Sequence, residues 1–231
     1  MKKIIILIPV FNDWESLIKL ISEINENVKD YKNISFDLMI VNDASTIKQP
    51  KLIKPSNINS IQIFNMKENR GHARCNAFGI RYVEKNKEFN NLILMDGDGE
   101  DRPVEIKNLI NESINKSNIS IVAKRIKRSE GPIFQILYQI HKIITYVFTG
   151  KYINFGNYSC LTKKDVEKLN SEASLWSSYS GTLKKIILKF GEIDSKRGKR
   201  YFGPSKMSLL KLLMHSFAII AVFKYQVFLR S

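Results

Sequence analysis

The sequence predicts an α/β fold in which a mostly parallel sheet carries helices on both faces. Three observations lead there. Apolar runs of strand length alternate with longer segments of helical period. Those short runs are almost continuously apolar, as strands buried on both faces must be. Polar clusters follow five strands in succession, which puts them on one edge of one sheet.

Each element has its own reason. KIIILIPV (3–10) reads as a strand, although two lysines before an apolar run resemble a secretory leader. The run is short, Pro9 interrupts it, and Asn12, Asp13 and Glu15 follow where a small-residue cleavage site would be needed. In DWESLIKLISEINENV (13–28), Trp14, Leu17, Ile18, Ile21 and Ile24 recur at steps of three and four, the period of an amphipathic helix. SFDLMIVND (35–43) and SIQIFNM (60–66) are further strands, and HARCNAFGIRYVEKN (72–86) is a helix. NLILMD (91–96) is a strand ending on acids, Pro103 opens the next helix, and ISIVAKR (119–125) is a fifth strand. Such alternation implies right-handed crossovers and ligands held beyond the carboxyl ends of the strands.

Composition bounds the partners. A chain of 231 residues with 44% hydrophobic content supports one large domain with a full core. The formal charge of +15 favours anionic partners such as nucleic acid, nucleotides or a phospholipid surface. A nucleic-acid partner is not expected, because no such module is present and the basic runs lack the aromatic spacing of a stacking platform. Cys75 and Cys160 lie far apart and match no metal spacing.

The polar ends of the strands are PVFND, NDAST, ENRGHAR, DGDGED and KRIKR. In the fourth, Asp96 and Asp98 flank a single glycine, so both side chains can lean the same way. Gly97 and Gly99 let the backbone approach a ligand closely. Hard oxygens so placed suit Mg²⁺ or Mn²⁺. An EF-hand fails on spacing, since its glycine position holds Asp101 and its bidentate glutamate position holds Lys107. A dinucleotide fingerprint fails too, because PVFNDWES contains no glycine.

The ordered set IPVFND, VNDAST, NRGHARCNAFGI, LMDGDGEDRP, FGNYS and RYFGPSKMS resembles glycosyltransferase family 2 on the GT-A (Rossmann-like) fold, and most of all its polyprenyl- and dolichol-phosphate sugar synthase branch. The resemblance runs from Ile4 to about Phe228. It implies that Pro9, Asn12 and Asp13 cup the nucleotide of a nucleoside diphosphate sugar, with Asp13 in place of a more usual Glu. Asp43 would reach base or ribose, while Asn42 stands where a second Asp is common. Asp96, Gly97 and Asp98 would hold the donor diphosphate and a Mg²⁺ or Mn²⁺ ion, with Glu100 as a third ligand. Arg125 and Arg128 would face phosphates. Arg200, Ser205 and Lys206 match an R-x-x-G-x-S-K signature that closes over donor and lipid phosphate. On this reading Asp98, Arg200 and Lys206 carry catalysis, and Arg128, Ser205 and Lys206 hold the acceptor phosphate.

What is missing from the second half bears on the acceptor. A hydroxyl acceptor needs a general base, yet after residue 129 the only acids are Glu130, Asp165, Glu167, Glu172, Glu192 and Asp194, with no Glu-Asp pair among them. A polyprenyl phosphate is already anionic and needs cations instead. The alternatives are a sugar-hydroxyl acceptor in surface polysaccharide or glycolipid synthesis, or a basic nucleic-acid-binding protein without catalysis. Two segments, 131–155 and 207–231, are apolar enough for a membrane surface. The longest uninterrupted run in the second, Phe217 to Phe223, is far below the ~20 residues of a span. The sequence therefore predicts a transferase domain over 1–206 and one amphipathic interfacial helix over 207–231. The resemblance places the protein in the cytoplasm, peripheral on the inner face of the membrane and bound to its anionic surface.

Overall fold

The computed structural model describes residues 1–127, 132–204 and 209–230. Arg128, Ser205 and Lys206 lie outside them, as does Glu130. Nine-residue strand β1 (Lys2–Val10) leads into α1 (Trp14–Val28), then β2 (Ile34–Asn42) and β3 (Ser60–Asn65). Next come α2 (His72–Asn86), β4 (Asn91–Leu94), a short 3₁₀ turn (Pro103–Glu105) running into α3 (Ile106–Asn115), and β5 (Ile121–Lys127). The second half adds α4 (Pro132–Thr149), β6 (Phe155–Thr162), α5 (Lys163–Asn170), α6 (Tyr179–Ile186), β7 (Gly191–Lys196), α7 (Leu209–Val222) and α8 (Lys224–Arg230).

The strands form one sheet in the order β3-β2-β1-β4-β6-β5-β7, parallel except for β6, which runs against both neighbours. Strand alternation divides the core in two. Ile4, Ile6 and Ile8 of β1 meet Leu17, Ile21 and Ile24 of α1 and Leu109 of α3 on one face. Ile5 and Leu7 point to the other face, against Ile80 and Val83 of α2, Val166 of α5 and Leu183 of α6. The two-sided burial read from KIIILIPV is thus real. Helix α2 rides so close to β1 that a Cβ at Gly79 would collide with Leu7.

Several boundaries shift from the sequence reading by one or two residues, as in the fifth strand, read over 119–125 and found at Ile121–Lys127. The fourth strand stops at Leu94, so Met95 to Asp101 form a turn. The C-terminal segment is two helices and not one, because the chain turns at Phe223 to bury that ring completely while Ile219 and Val222 pack beside Ile153. Strands β6 and β7 and helices α5 and α6 were not read from the sequence. No helix among the described residues is long and apolar enough to cross a membrane. Both cysteines are free and buried.

Candidate active site

The site assembles at the carboxyl edge of the sheet from four loops. After β1, Asn12 adopts a left-handed backbone (φ 50°) and turns its carboxamide oxygen toward the Thr46 and Ile47 amides, which donate to it at 2.8 and 3.0 Å. Its own amide donates to Ser45 Oγ at 2.9 Å. Asn12 therefore fixes the loop after β2 to the loop after β1. Asn42, at the end of β2, accepts from the Ser45 amide at 3.0 Å and donates to Asn65 Oδ1 at 2.8 Å. Asp43 is buried, and its two carboxylate oxygens accept from the Arg70 and Gly71 amides, each at 2.8 Å. Gly71 has φ 84°, which lets two successive amides converge on one carboxylate.

The acidic turn is the third loop. Gly97 sits against Pro9, where an added Cβ would lie 3.0 Å from the Pro9 carbonyl oxygen. The Asp96 amide donates to Asp101 Oδ2 at 2.9 Å, and the Glu100 amide donates to Asp98 Oδ1 at 3.1 Å. Asn157 at the start of β6 donates to Asp96 Oδ1 at 3.0 Å. Gly99 has φ 85° and lies under the Tyr201 ring, so only glycine fits there.

The fourth loop, after β7, is stitched to this turn through main chain. The Gly198 amide donates to the Glu100 carbonyl at 2.8 Å and the Tyr201 amide to the Asp98 carbonyl at 3.0 Å. These bonds present two arginines to the acids. Arg197 pairs with Glu100. Arg200 pairs with Asp98 at 2.5 Å and, through its other terminal nitrogen, with Asp13. Arg125 from β5 approaches Asp101 at 4.0 Å.

Charge crowding shows in the acidities. Burial, then the neighbouring charges of Asp96 and Glu100, push the Asp98 carboxyl up to about 6, against the pull of Arg200. Burial and Asp96 raise Asp101 to about 7. Asp96 goes the other way: burial opposes its charge, but His72, the Asn157 hydrogen bond, Arg197 and Arg125 together hold it below the ordinary value. Charge is thus kept on Asp96 and strained on Asp98.

The structure brings Pro9, Asp13, Asp96, Gly97, Asp98, Glu100, Arg125 and Arg200 together, with Asn12 and Asp43 holding the surrounding loops. Sequence reasoning missed Asn157, Arg197 and His72. Asn157 lay inside the quoted FGNYS but was given no role, and Arg197 opens the basic run that ends at Arg200. Asn76, one turn after His72 on the same face of α2, was also missed. Its carboxamide is buried with neither atom hydrogen-bonded.

The donor chemistry of Asp96, Asp98 and Glu100 fits a hard divalent ion. Among the described residues, however, no three acids, histidines or cysteines stand grouped as a ready ligand set. Arg200 and Arg197 occupy carboxylate oxygens of Asp98 and Glu100.

Comparison with known proteins identifies the family and the fold. The model of the family described as glycosyl transferase family 2 matches residues 5–187. The undecaprenyl-phosphate 4-deoxy-4-formamido-L-arabinose transferase of Photorhabdus laumondii is 26% identical over 220 residues, which is 92% of this chain and 65% of that protein. Its namesake from Proteus mirabilis is 24% identical over 219 residues, 91% of this chain and 64% of that protein. The chain therefore spans just under two thirds of these relatives. Among solved structures, a glucosyl-3-phosphoglycerate synthase of Mycobacterium tuberculosis, crystallised with Mn²⁺, uridine-diphosphate-glucose and phosphoglyceric acid, superposes with a TM-score of 0.63. The match covers 98% of this chain and 80% of that one at 12% identity. Mannosyl-3-phosphoglycerate synthase of Rubrobacter xylanophilus gives a TM-score of 0.65 at 10% identity, covering 99% and 74%. The chain belongs to glycosyl transferase family 2 and has the GT-A fold.

Proposed function

We propose that this protein transfers a sugar, with inversion, from a nucleoside diphosphate sugar to a polyprenyl phosphate at the inner face of a membrane, using Mg²⁺ or Mn²⁺. The observation that carries the reading is the acidic turn with an arginine-bearing loop stitched to its backbone. A divalent ion at Asp96, Asp98 and Glu100 would stabilise the negative charge that builds on the departing diphosphate. Asn157 keeps Asp96 oriented, and His72 with Arg125 and Arg197 keeps it ionised. Arg200 already lies on Asp98 and Asp13, so a small side-chain movement puts its guanidinium against a diphosphate between those loops. Asp43, Asn42 and the Asn12 loop form the wall for the nucleoside.

The phosphate acceptor is supported by where the second-half acids lie. Asp165 is buried, accepting from Ser120 Oγ at 2.7 Å and pairing with Lys168. Glu172 pairs with Lys185, and Glu192 lies near Lys124. None of these three carboxylates contacts the acidic turn, and Glu167 and Asp194 are exposed. The relatives from Photorhabdus and Proteus are named for undecaprenyl phosphate. An exposed apolar surface supports the membrane part of the reading. Helix α4 packs on α7 and α8, and Ile143, Val147, Met214, Phe217, Tyr225 and Leu229 on them are each more than half exposed. Lys142 beside Tyr152 and Lys224 beside Tyr225 put cations at its border, as an anionic bilayer surface favours.

Thermal-shift screening of nucleoside diphosphate sugars with and without Mn²⁺ tests the donor half. Stabilisation only when both are present is the expected result. The acceptor half is tested by radiolabel transfer to a polyprenyl phosphate against transfer to a free sugar. Transfer to the sugar alone would move the reading to the hydroxyl-acceptor class.

A further inference from the structure

The ENRGHAR cluster after β3 is only partly used by the donor site. Its backbone serves Asp43, but the side chains of Arg70 and Arg74 turn to a different feature. A solvent-open surface cavity of about 440 Å³ lies where this loop meets the turn before α6, lined by Met66, Arg70, Arg74 and Trp176. Two walls are cationic and two are apolar, and among the described residues no carboxylate lines it.

The walls are held in place. Trp176 is pinned by Arg81, whose guanidinium lies 5.2 Å from the indole centroid and donates to the Glu172 carbonyl at 3.1 Å. Arg70 is anchored through its amide on Asp43. The Arg70 side chain shares an exposed ion pair with Glu68, an arrangement weak enough in water for a phosphate to displace. Arg74 makes no ion pair among the described residues. Guanidinium forks match phosphate oxygens, while an indole and a thioether offer an apolar wall to a hydrocarbon. An anion with no hydrocarbon would leave half of the lining unused, and a neutral hydrocarbon would leave the other half unused.

We propose that this cavity holds the phosphate end of a phosphomonoester carrying an apolar chain, with Arg70 and Arg74 on the phosphate and Met66 and Trp176 against the first carbons of the chain. The proposal rests on the polyprenyl phosphate reading above and extends it to a second anion site, separate from the acidic turn. The site adjoins the donor loops, since Arg70 is bound to Asp43 and His72, two residues on, acts electrostatically on Asp96.

The chain reports on its own cavity, because it has two tryptophans. Trp14 is buried with its indole nitrogen donating to the Ile47 carbonyl, whereas Trp176 lines the cavity. Titration of the full chain with farnesyl phosphate, below its micelle concentration and without donor, should give a saturable change in emission. Trp176→Phe should abolish that change. Arg74→Gln should weaken binding about tenfold, as loss of a charge-assisted hydrogen bond does. Farnesol and inorganic phosphate should each bind more weakly than farnesyl phosphate. Circular dichroism and melting of each variant separate lost binding from lost folding. Unchanged affinity in a folded Arg70→Gln, Arg74→Gln double variant would overturn the proposal, as would inorganic phosphate binding as tightly as the lipid. If farnesyl phosphate fails to bind while uridine-diphosphate-glucose with Mn²⁺ still raises the melting temperature, the cavity proposal falls and the transferase reading stands. Failure of that donor response, and of every other nucleoside diphosphate sugar, would strike the transferase reading itself.

Discussion

Arg200 donates to Asp98 Oδ2 at 2.5 Å while its second terminal nitrogen pairs with Asp13, so one guanidinium spans three loops of the site. On the proposed reading, a cation already on Asp98 competes with a metal and also stands ready for the diphosphate. Arg200→Gln should therefore tighten Mn²⁺ binding to the donor-free protein several-fold in calorimetry. The same change should lower turnover by ~10²–10³, the usual cost of losing a donor to developing charge. If neither quantity moves, Arg200 has no part in the site.

Asp98→Asn retains the shape of the side chain, and its amide oxygen can still accept from the Glu100 amide. The charge that attracts a metal is lost. Turnover should drop by at least ~10³ with the melting temperature within a few degrees of the parent. Normal activity at millimolar Mg²⁺ or Mn²⁺ would refute the metal role of this residue.

Asp101 gives a stability prediction with a definite sign. Its folded acidity is about 7 against an ordinary value of 3.8. Below the lower value it is protonated in both states and has no effect. As pH rises between the two, the unfolded chain releases its proton first and stability falls; above about 7 the loss is complete. Asp98 adds a smaller loss of the same sign, ending near 6. In EDTA, Asp101→Asn should raise the melting temperature at about pH 8 and leave it unchanged below about pH 4, because the amide cannot ionise. Equal effects at both extremes would show that the carboxyl is not buried at the expense of its charge.

If the acceptor is a phosphate, no second-half acid has a proton to remove. Singly changing Glu130, Asp165, Glu167, Glu172, Glu192 and Asp194 to amides should alter turnover by less than about tenfold, whereas a general base is worth ~10²–10⁴. Asp165 is the one with a structural cost, since it is buried with Ser120 and Lys168, so its turnover must be measured on folded protein. A thousandfold fall in any well-folded variant would favour the hydroxyl-acceptor class.

The exposed apolar surface makes its own prediction. Phe217→Glu combined with Met214→Glu should abolish flotation with liposomes containing anionic lipid while leaving donor binding intact, because both side chains are largely exposed on α7. Flotation equal to the parent would mean that these helices do not meet the bilayer.

Most of the first half of the fold was legible in the sequence because β1, β2 and β4 are largely buried apolar runs followed at once by polar loops. Helix α2 was read to the residue, from His72 to Asn86. The second half was harder for a physical reason. Strand β7, GEIDSK, sits at the sheet edge with alternating exposure and little apolar content, so it has no hydrophobic signal. Strand β6 reads as polar at Gly156 and Asn157, where it serves the site. The acidic turn was legible because four acids within six positions need an explanation. Arg197 was not, since nothing in a run of basic residues tells which one will be drawn onto a carboxylate by backbone bonds to a distant turn.

Strand β6 runs against its neighbours, so the chain leaves the sheet at the end of β5 and re-enters it at Phe155 on the same edge. Everything between is an excursion whose two footings, Arg125 and Asn157, both touch the acidic turn. Such a detour can be lengthened, shortened or exchanged without changing the register of any strand. The acidic turn and α4 are thereby separable in evolution: a lineage can trade α4 for another insert and keep both footings on the turn.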